Sequence, residues 1–150
     1  MDFEPLAKHH NKADFDCGND DINRYLQTTA NQHAKKGIAV THILADGETI
    51  KAFYTLSNTQ ITDHHLKGYP KVIPAILIGR IGIDKRYQGQ GLFKIIFAHA
   101  FLGIKKFARF SGMAFIIIDP KTDTLNQYYQ NMGFMPFDGN RLIFPIEKLQ

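Results

Sequence analysis

A single cysteine among 150 residues leaves no partner for an intrachain disulfide, so stability has to come from packing and the expected compartment is a reducing one. Nowhere does the chain approach the roughly 20 uninterrupted apolar residues that span a bilayer. Its start, Met1-Asp2-Phe3-Glu4-Pro5, carries acids where a signal peptide carries bases, and it lacks an apolar stretch. The expectation is a cytoplasmic protein without a membrane role. Acid is scarce as well: 14 Asp and Glu stand against 18 Lys and Arg, a net charge of +4, which favours an acidic partner or substrate. Internal repeats and low-complexity tracts are missing, and with them the solenoid and tail classes.

What is present is an ordinary globular composition, 44% apolar and 21% charged. A chain of this length suits one domain, residues 1–150, that buries roughly two-thirds of its unfolded surface. Phe3, Leu6 and Phe15 predict a short strand on a sheet edge. Asp16-Cys17-Gly18-Asn19-Asp20-Asp21 reads as a helix entrance, with short polar caps and acids at the positive end of the dipole. The helix that follows is expected from about Asp20 to Lys36, with Ile22, Tyr25, Leu26, Thr29, Ala30 and Ala34 at helical spacing and Lys35-Lys36-Gly37 closing it. Residues 38–45 and 49–58 predict two strands joined through Asp46-Gly47.

An apolar strand, Ala75 to Asp84, leads into Lys85-Arg86-Tyr87-Gln88-Gly89-Gln90-Gly91 and then a helix from Leu92 to Phe107 that is apolar on most of its circumference. That helix should therefore be covered on nearly all sides. Met113 to Asp119 is a second apolar run, which should pair parallel to the first through the helix as one βαβ unit. Thr122 or Asp123 caps a short helix ending at Met132 and Gly133, and Arg141 to Ile146 makes a last strand whose Pro145 favours an edge or a strand end. The expected class is α/β: a mixed, mostly antiparallel sheet with one parallel pair and helices on both faces.

A glycine-bearing loop that opens a helix straight after a strand points backbone N–H groups and the positive helix end at one spot, which suits a phosphate. The pattern is neither a Walker loop nor a dinucleotide fingerprint. Gln88-Gly89-Gln90-Gly91, preceded by Gly79-Arg80-Ile81-Gly82-Ile83-Asp84, resembles the acetyl-CoA pyrophosphate loop of the GNAT (Gcn5-related) N-acetyltransferases. Tyr128-Tyr129 followed by Gly133-Phe134 is similar to a second motif of that family. Phe15-Asp16-Cys17-Gly18, with Ile22-Asn23 and Tyr25-Leu26, resembles the opening of its toxin branch, as does Tyr54-Thr55-Leu56-Ser57 its second strand. The likeness covers essentially the whole chain.

The resemblance implies the GNAT fold, with the parallel pair parted to admit CoA, and an N-acetyltransferase that uses acetyl-CoA as donor. In the toxin branch the acceptor is the α-amine of aminoacyl-tRNA, translation is blocked, and a ribbon-helix-helix antitoxin is the partner; a homodimer is also compatible. The backbone of Ile81, Gly82 and Ile83 would pair with the pantetheine arm, and Gln88, Gly89, Gln90, Gly91, Leu92, Phe93 and Lys94 would wrap the pyrophosphate. Asn126 would bind the pantetheine arm and Tyr129 would protonate the departing thiolate. Arg80, Lys35 and Lys36 are candidate substrate contacts.

Phe93 departs from the family, which has a small residue there; the ring either points into the core or crowds the phosphates. Two other readings stay open: the same chemistry on a small-molecule amine or a protein lysine, and a GNAT-like protein-binding module with impaired CoA binding. No metal site is expected. The pairs His9-His10 and His64-His65 lack the spacing of a metal site and read as solvated surface, and Cys17 reads as a small residue in a cap rather than a nucleophile.

Overall fold

The computed structural model describes residues 2–149. Strands β1 (Phe3–Pro5), β2 (Val40–Asp46), β3 (Thr49–Ile61), β4 (Ile73–Ile83), β5 (Phe115–Ile118), β6 (Met135–Asp138) and β7 (Arg141–Pro145) form one sheet in the order β1-β2-β3-β4-β5-β7-β6. Four helices accompany it: α1 (Asp20–Thr28), α2 (Ala30–Lys35), α3 (Leu92–Ala108) and α4 (Asp123–Asn131). The expected parallel pair is present, Ala75 to Ile78 of β4 against Phe115 to Ile118 of β5, while β1 with β2, β2 with β3, β5 with β7 and β6 with β7 run antiparallel. The residues fall into two compact units, one made of the chain up to Ser57 with Gly79–Ala100, the other of Asn58–Ile78 with the chain from Phe101 onward.

In the first unit, Phe15, Ile22, Tyr25, Leu26, Ala30, Ile43, Ile50 and Phe53 make one core. Phe53 and Tyr54 are neighbours on β3 and so point to opposite faces. Phe53 meets Phe15 edge-on at 5.4 Å and lies in the core of α1, whereas Tyr54 hydrogen-bonds His99 of α3 at 2.6 Å. Helices therefore cover both faces of this part of the sheet, as expected.

Where α1 meets the sheet there is no spare room. A Cβ on Gly82 would lie 2.9 Å from Phe53 Cε1 and 3.1 Å from both Ile22 and Phe15. Gly82→Ala should accordingly destabilise the fold by about 1–3 kcal/mol through overpacking, read as a lower urea midpoint with an unchanged m-value.

On the other face His42 stacks on Tyr54 at 4.8 Å, and His99 stacks on Phe3 at 4.3 Å. Burial, with the nearby His99 adding to it, pulls the His42 pKa down from its ordinary 6.5 to about 4. The folded protein then holds His42 neutral where the unfolded chain would protonate it. Its stabilising contribution is complete above pH 6.5 and lost as pH falls toward 4. Thermal denaturation across that window should show a steeper loss for wild type than for His42→Phe, which keeps the stack and has nothing to titrate.

The second unit has its own core of Ile61, Ile73, Ala75, Phe115, Ile117 and Ile143, with Leu66, Leu77 and Phe137 packed against it. Phe144, next to Ile143 on β7 and so on the opposite face, stacks with Phe101 at 5.7 Å and meets Phe134 at 5.3 Å. Thr122 is the cap of α4, its hydroxyl accepting from the Leu125 N–H at 3.1 Å. Pro145 ends β7, as the sequence predicts, but β7 is an inner strand: β6, not expected as a separate strand, lies outside it.

Three expectations are corrected. The helix predicted from Asp20 to Lys36 is two helices broken at Thr29, whose φ of −121° leaves the helical range. The Thr28 hydroxyl bonds back to the Arg24 carbonyl at 2.7 Å and contacts the Thr29 hydroxyl at 3.1 Å, the competition with the backbone ladder that adjacent threonines offer. Helix α3 is not covered all round: Leu92, Ile96, Phe97, Ala100 and Ile104 form its buried stripe, while Leu102 and Phe107 are exposed.

His10 is not solvated surface but buried at 4% exposure. Its Nδ1 accepts the Ala7 N–H at 2.9 Å and its Nε2 faces Glu4 Oε1 at 2.5 Å. Glu4, His9 and His10 come together in one turn, in which Glu4 Oε1 lies 3.4 Å from His9 Nε2.

Candidate functional site

The first unit contains the end of β4 and the loop after it. Pairing with β5 covers only Ala75 to Ile78, so Gly79 to Ile83 run on beyond the end of that partner. The other edge is held by β3: Thr55 Oγ1 accepts the Arg80 N–H at 2.9 Å, and the Asp84 N–H donates to the Lys51 carbonyl at 2.9 Å. A strand fixed along one edge and outrunning its neighbour on the other is a ready acceptor for an extended chain that hydrogen-bonds its backbone. Of the candidate positions Ile81, Gly82 and Ile83, the last has its carbonyl engaged by the Gln88 side-chain amide at 2.8 Å.

After Asp84 the chain makes a single 3-10 turn, Lys85–Tyr87, passes through extended Gln88 and enters α3 at Leu92. Gly89 has φ +78° and Gly91 φ +77°, and a Cβ on either would meet nothing within 4 Å. Glycine is needed here for backbone conformation, not for lack of space. Positive φ at Gly89 and Gly91 leads the chain into the first turn of a 17-residue helix, whose orphan N–H groups and positive dipole end lie beside the loop. Gln88, Gly89, Gln90 and Gly91 are exposed, as is Lys94; Leu92 is buried and Phe93 half-buried in the first turn.

Arg80, exposed on β4, lays its guanidinium over the Tyr25 ring, 3.9 Å from its centroid. The Tyr25 hydroxyl in turn lies 3.0 Å from His33 Nδ1 on α2. Burial raises the Tyr25 pKa while the Arg80 charge opposes that rise, so the phenol stays protonated at neutral pH. A stacked guanidinium is a cation of fixed position, worth more as a recognition element than one on a free tether. Sequence periodicity placed Tyr25 in the core of α1 but gave no sign of this contact, because it joins residues 25 and 80. Lys35 and Lys36 stand exposed at the end of α2.

The second unit holds the other two candidates, both on α4. Asn126 is tied on each side, its amide donating to Asn140 Oδ1 at 3.2 Å and its Oδ1 accepting from Gln130 Nε2 at 2.5 Å. Tyr129 is buried at 3% exposure, with the rings of Tyr128 and Phe134 at 5.9 and 6.2 Å. Burial first, and Tyr128 second, push its phenol pKa well above the ordinary value, so it carries its proton throughout the physiological range. Cys17 is half-buried, and burial raises its thiol pKa, which leaves less of it as thiolate at neutral pH.

No family model matches the sequence. A curated relative, the probable toxin TacT of Sinorhizobium fredii (strain NBRC 101917 / NGR234), is 27% identical over 168 aligned residues that cover 99% of this chain and 92% of the relative. Among solved structures, a Tyr-to-Phe mutant of KacT superposes with a TM-score of 0.90 at 21% identity, covering 99% of this chain and 96% of that one. AtaT complexed with acetyl-methionyl-tRNAfMet gives 0.89 at 24% identity, with 99% and 96% covered. The Tyr-to-Phe mutant of AtaT bound to acetyl-CoA and the C-terminus of the antitoxin AtaR gives 0.86 at 25% identity, with 99% and 94% covered.

The chain has the GNAT fold. No helix among the described residues is long and apolar enough to cross a membrane.

Proposed function

We propose that this GNAT-fold chain is an N-acetyltransferase toxin that moves the acetyl group of acetyl-CoA to the α-amine of an aminoacyl-tRNA in the cytoplasm. The observation that carries the reading is the loop of reversed φ angles at Gly89 and Gly91 opening α3, next to a β4 edge that outruns its partner. Diphosphate and pantetheine ask for these two features together. The likeness to the probable toxin TacT and to AtaT bound to acetyl-CoA and to acetyl-methionyl-tRNAfMet supports the donor and acceptor classes.

In this reading the N–H groups of residues 88–94 take the diphosphate, and Ile81 and Gly82 take the pantetheine amides. The acceptor amine attacks the thioester carbonyl, a C–N bond forms, the C–S bond breaks, and the sulfur leaves as a thiolate that Tyr129 protonates. An α-amine has an ordinary pKa near 8, so a good fraction is already neutral at physiological pH and no carboxylate base is required. Arg80, pinned on Tyr25, and Lys35 and Lys36 meet acceptor phosphates. AtaT is found with its antitoxin AtaR, and an antitoxin of the ribbon-helix-helix kind is the expected protein partner here.

Incubating the protein with radiolabelled acetyl-CoA and a pool of charged tRNA tests this directly. Label should appear on aminoacyl-tRNA and be released as N-acetyl amino acid on mild alkaline hydrolysis. Label confined to protein lysines or to free amines would transfer the activity to another acceptor class, and calorimetry without acetyl-CoA binding would remove the enzyme reading altogether.

A further inference from the structure

The Asp84 carboxylate is buried at 2% exposure and is surrounded by donors. Oδ1 accepts the Arg86 N–H at 2.9 Å and Arg86 Nε at 2.8 Å; Oδ2 accepts Arg86 Nη2 at 3.1 Å and the Asp16 N–H at 3.1 Å. More ties run between the same two stretches of chain. The Lys85 N–H donates to the Asp16 carbonyl at 2.8 Å, Arg86 Nη2 pairs with Asp14 at 3.0 Å, and Gln88 Nε2 donates to the Cys17 carbonyl at 3.1 Å. The Tyr87 N–H closes the turn on the Asp84 carbonyl at 2.8 Å. Everything up to Gln88 is thus fastened to the segment that leads into α1, and the next residue is Gly89.

We propose that Asp84 is a positioning residue for donor binding, its carboxylate holding the loop before Gly89 against Asp16 so that the N–H groups beyond already face the diphosphate. The inference rests on reading that loop as the donor site. Glycines at positive φ leave the loop with little stiffness of its own, and an unfastened loop must be ordered when the ligand arrives, at a cost that appears in affinity. A buried carboxylate is a poor way to gain stability, since a packed apolar residue usually does as well; what it supplies is direction.

Charge and position predict opposite signs. Asp84→Asn removes a negative charge close to a polyanion site, and by Coulomb attraction alone the donor should then bind more tightly. If Asp84 positions the loop, the donor binds more weakly in spite of the lost repulsion.

Calorimetry of the full chain with acetyl-CoA, at a temperature well below the melting transition, separates the cases. The expected result is a Kd raised about tenfold in Asp84→Asn, with kcat at saturating donor within about twofold of wild type, because the loop once ordered by ligand is the same loop. Asp14→Ala, an exposed change that deletes a negative charge together with the Arg86–Asp14 tie, should weaken binding in the same direction and serves if Asp84→Asn does not fold. An unchanged or lower Kd in the folded variants overturns the proposal. A wild-type protein that does not bind acetyl-CoA overturns the donor-site reading itself, a different and recognisable failure.

Discussion

Tyr129→Phe should lower kcat by about 10²–10⁴-fold, the usual contribution of a positioned general acid, while leaving the Kd for acetyl-CoA within a small factor of wild type. A phenol held at 3% exposure resists ionisation, and its pKa lies well above the ordinary tyrosine value. Such a group is a reservoir of one proton that neutral pH does not empty. Phenylalanine keeps the ring that faces Tyr128 and Phe134 and deletes only the hydroxyl. A rapid-quench measurement of acetyl transfer at saturating donor reads the loss, and a transfer rate equal to wild type would remove Tyr129 from the chemistry.

Local and medium-range features of this chain are written plainly in its sequence. The apolar runs that become β4 and β5 pair in parallel as their composition demands, and Thr122 caps α4 because a short hydroxyl side chain ahead of an acidic first turn does that wherever it occurs. The glycines at 89 and 91 announce the loop. What stays hidden depends on contacts distant in sequence or on competition between equal preferences. His10 looks like a surface histidine until Glu4 and Ala7 fold around it, and Asp84 looks like the polar end of a strand until Asp16, 68 positions away, donates to it. The break at Thr29 is a local change of backbone angle, which apolar periodicity does not register. The α3 helix shows the opposite error: an apolar residue on a helix is permitted inside but not obliged to be there, and Leu102 is outside.

The double variant Gly89→Ala, Gly91→Ala should lose most of its acetyl-CoA affinity yet melt at nearly the wild-type temperature when no donor is present. Both outcomes follow from one fact, that an added Cβ at either position meets nothing within 4 Å. Alanine at φ near +77° costs roughly 1–2 kcal/mol per residue, but with empty space around it the unliganded loop escapes by turning to negative φ. The free protein therefore avoids the strain, and the donor has to restore it. Each substitution should weaken binding by about 5- to 30-fold, since each 1.4 kcal/mol is a factor of ten, and the product of the two is an upper bound because the residues are neighbours and share one relaxation. Gly82→Ala makes the opposite pair of changes: walled in by Phe53, Ile22 and Phe15, it has no escape and loses stability in the absence of any ligand. Melting curves with and without acetyl-CoA distinguish these behaviours on one instrument. The double variant should show wild-type melting that the donor no longer raises, and a donor-induced shift as large as that of wild type would mean that the diphosphate does not bind at residues 88–94.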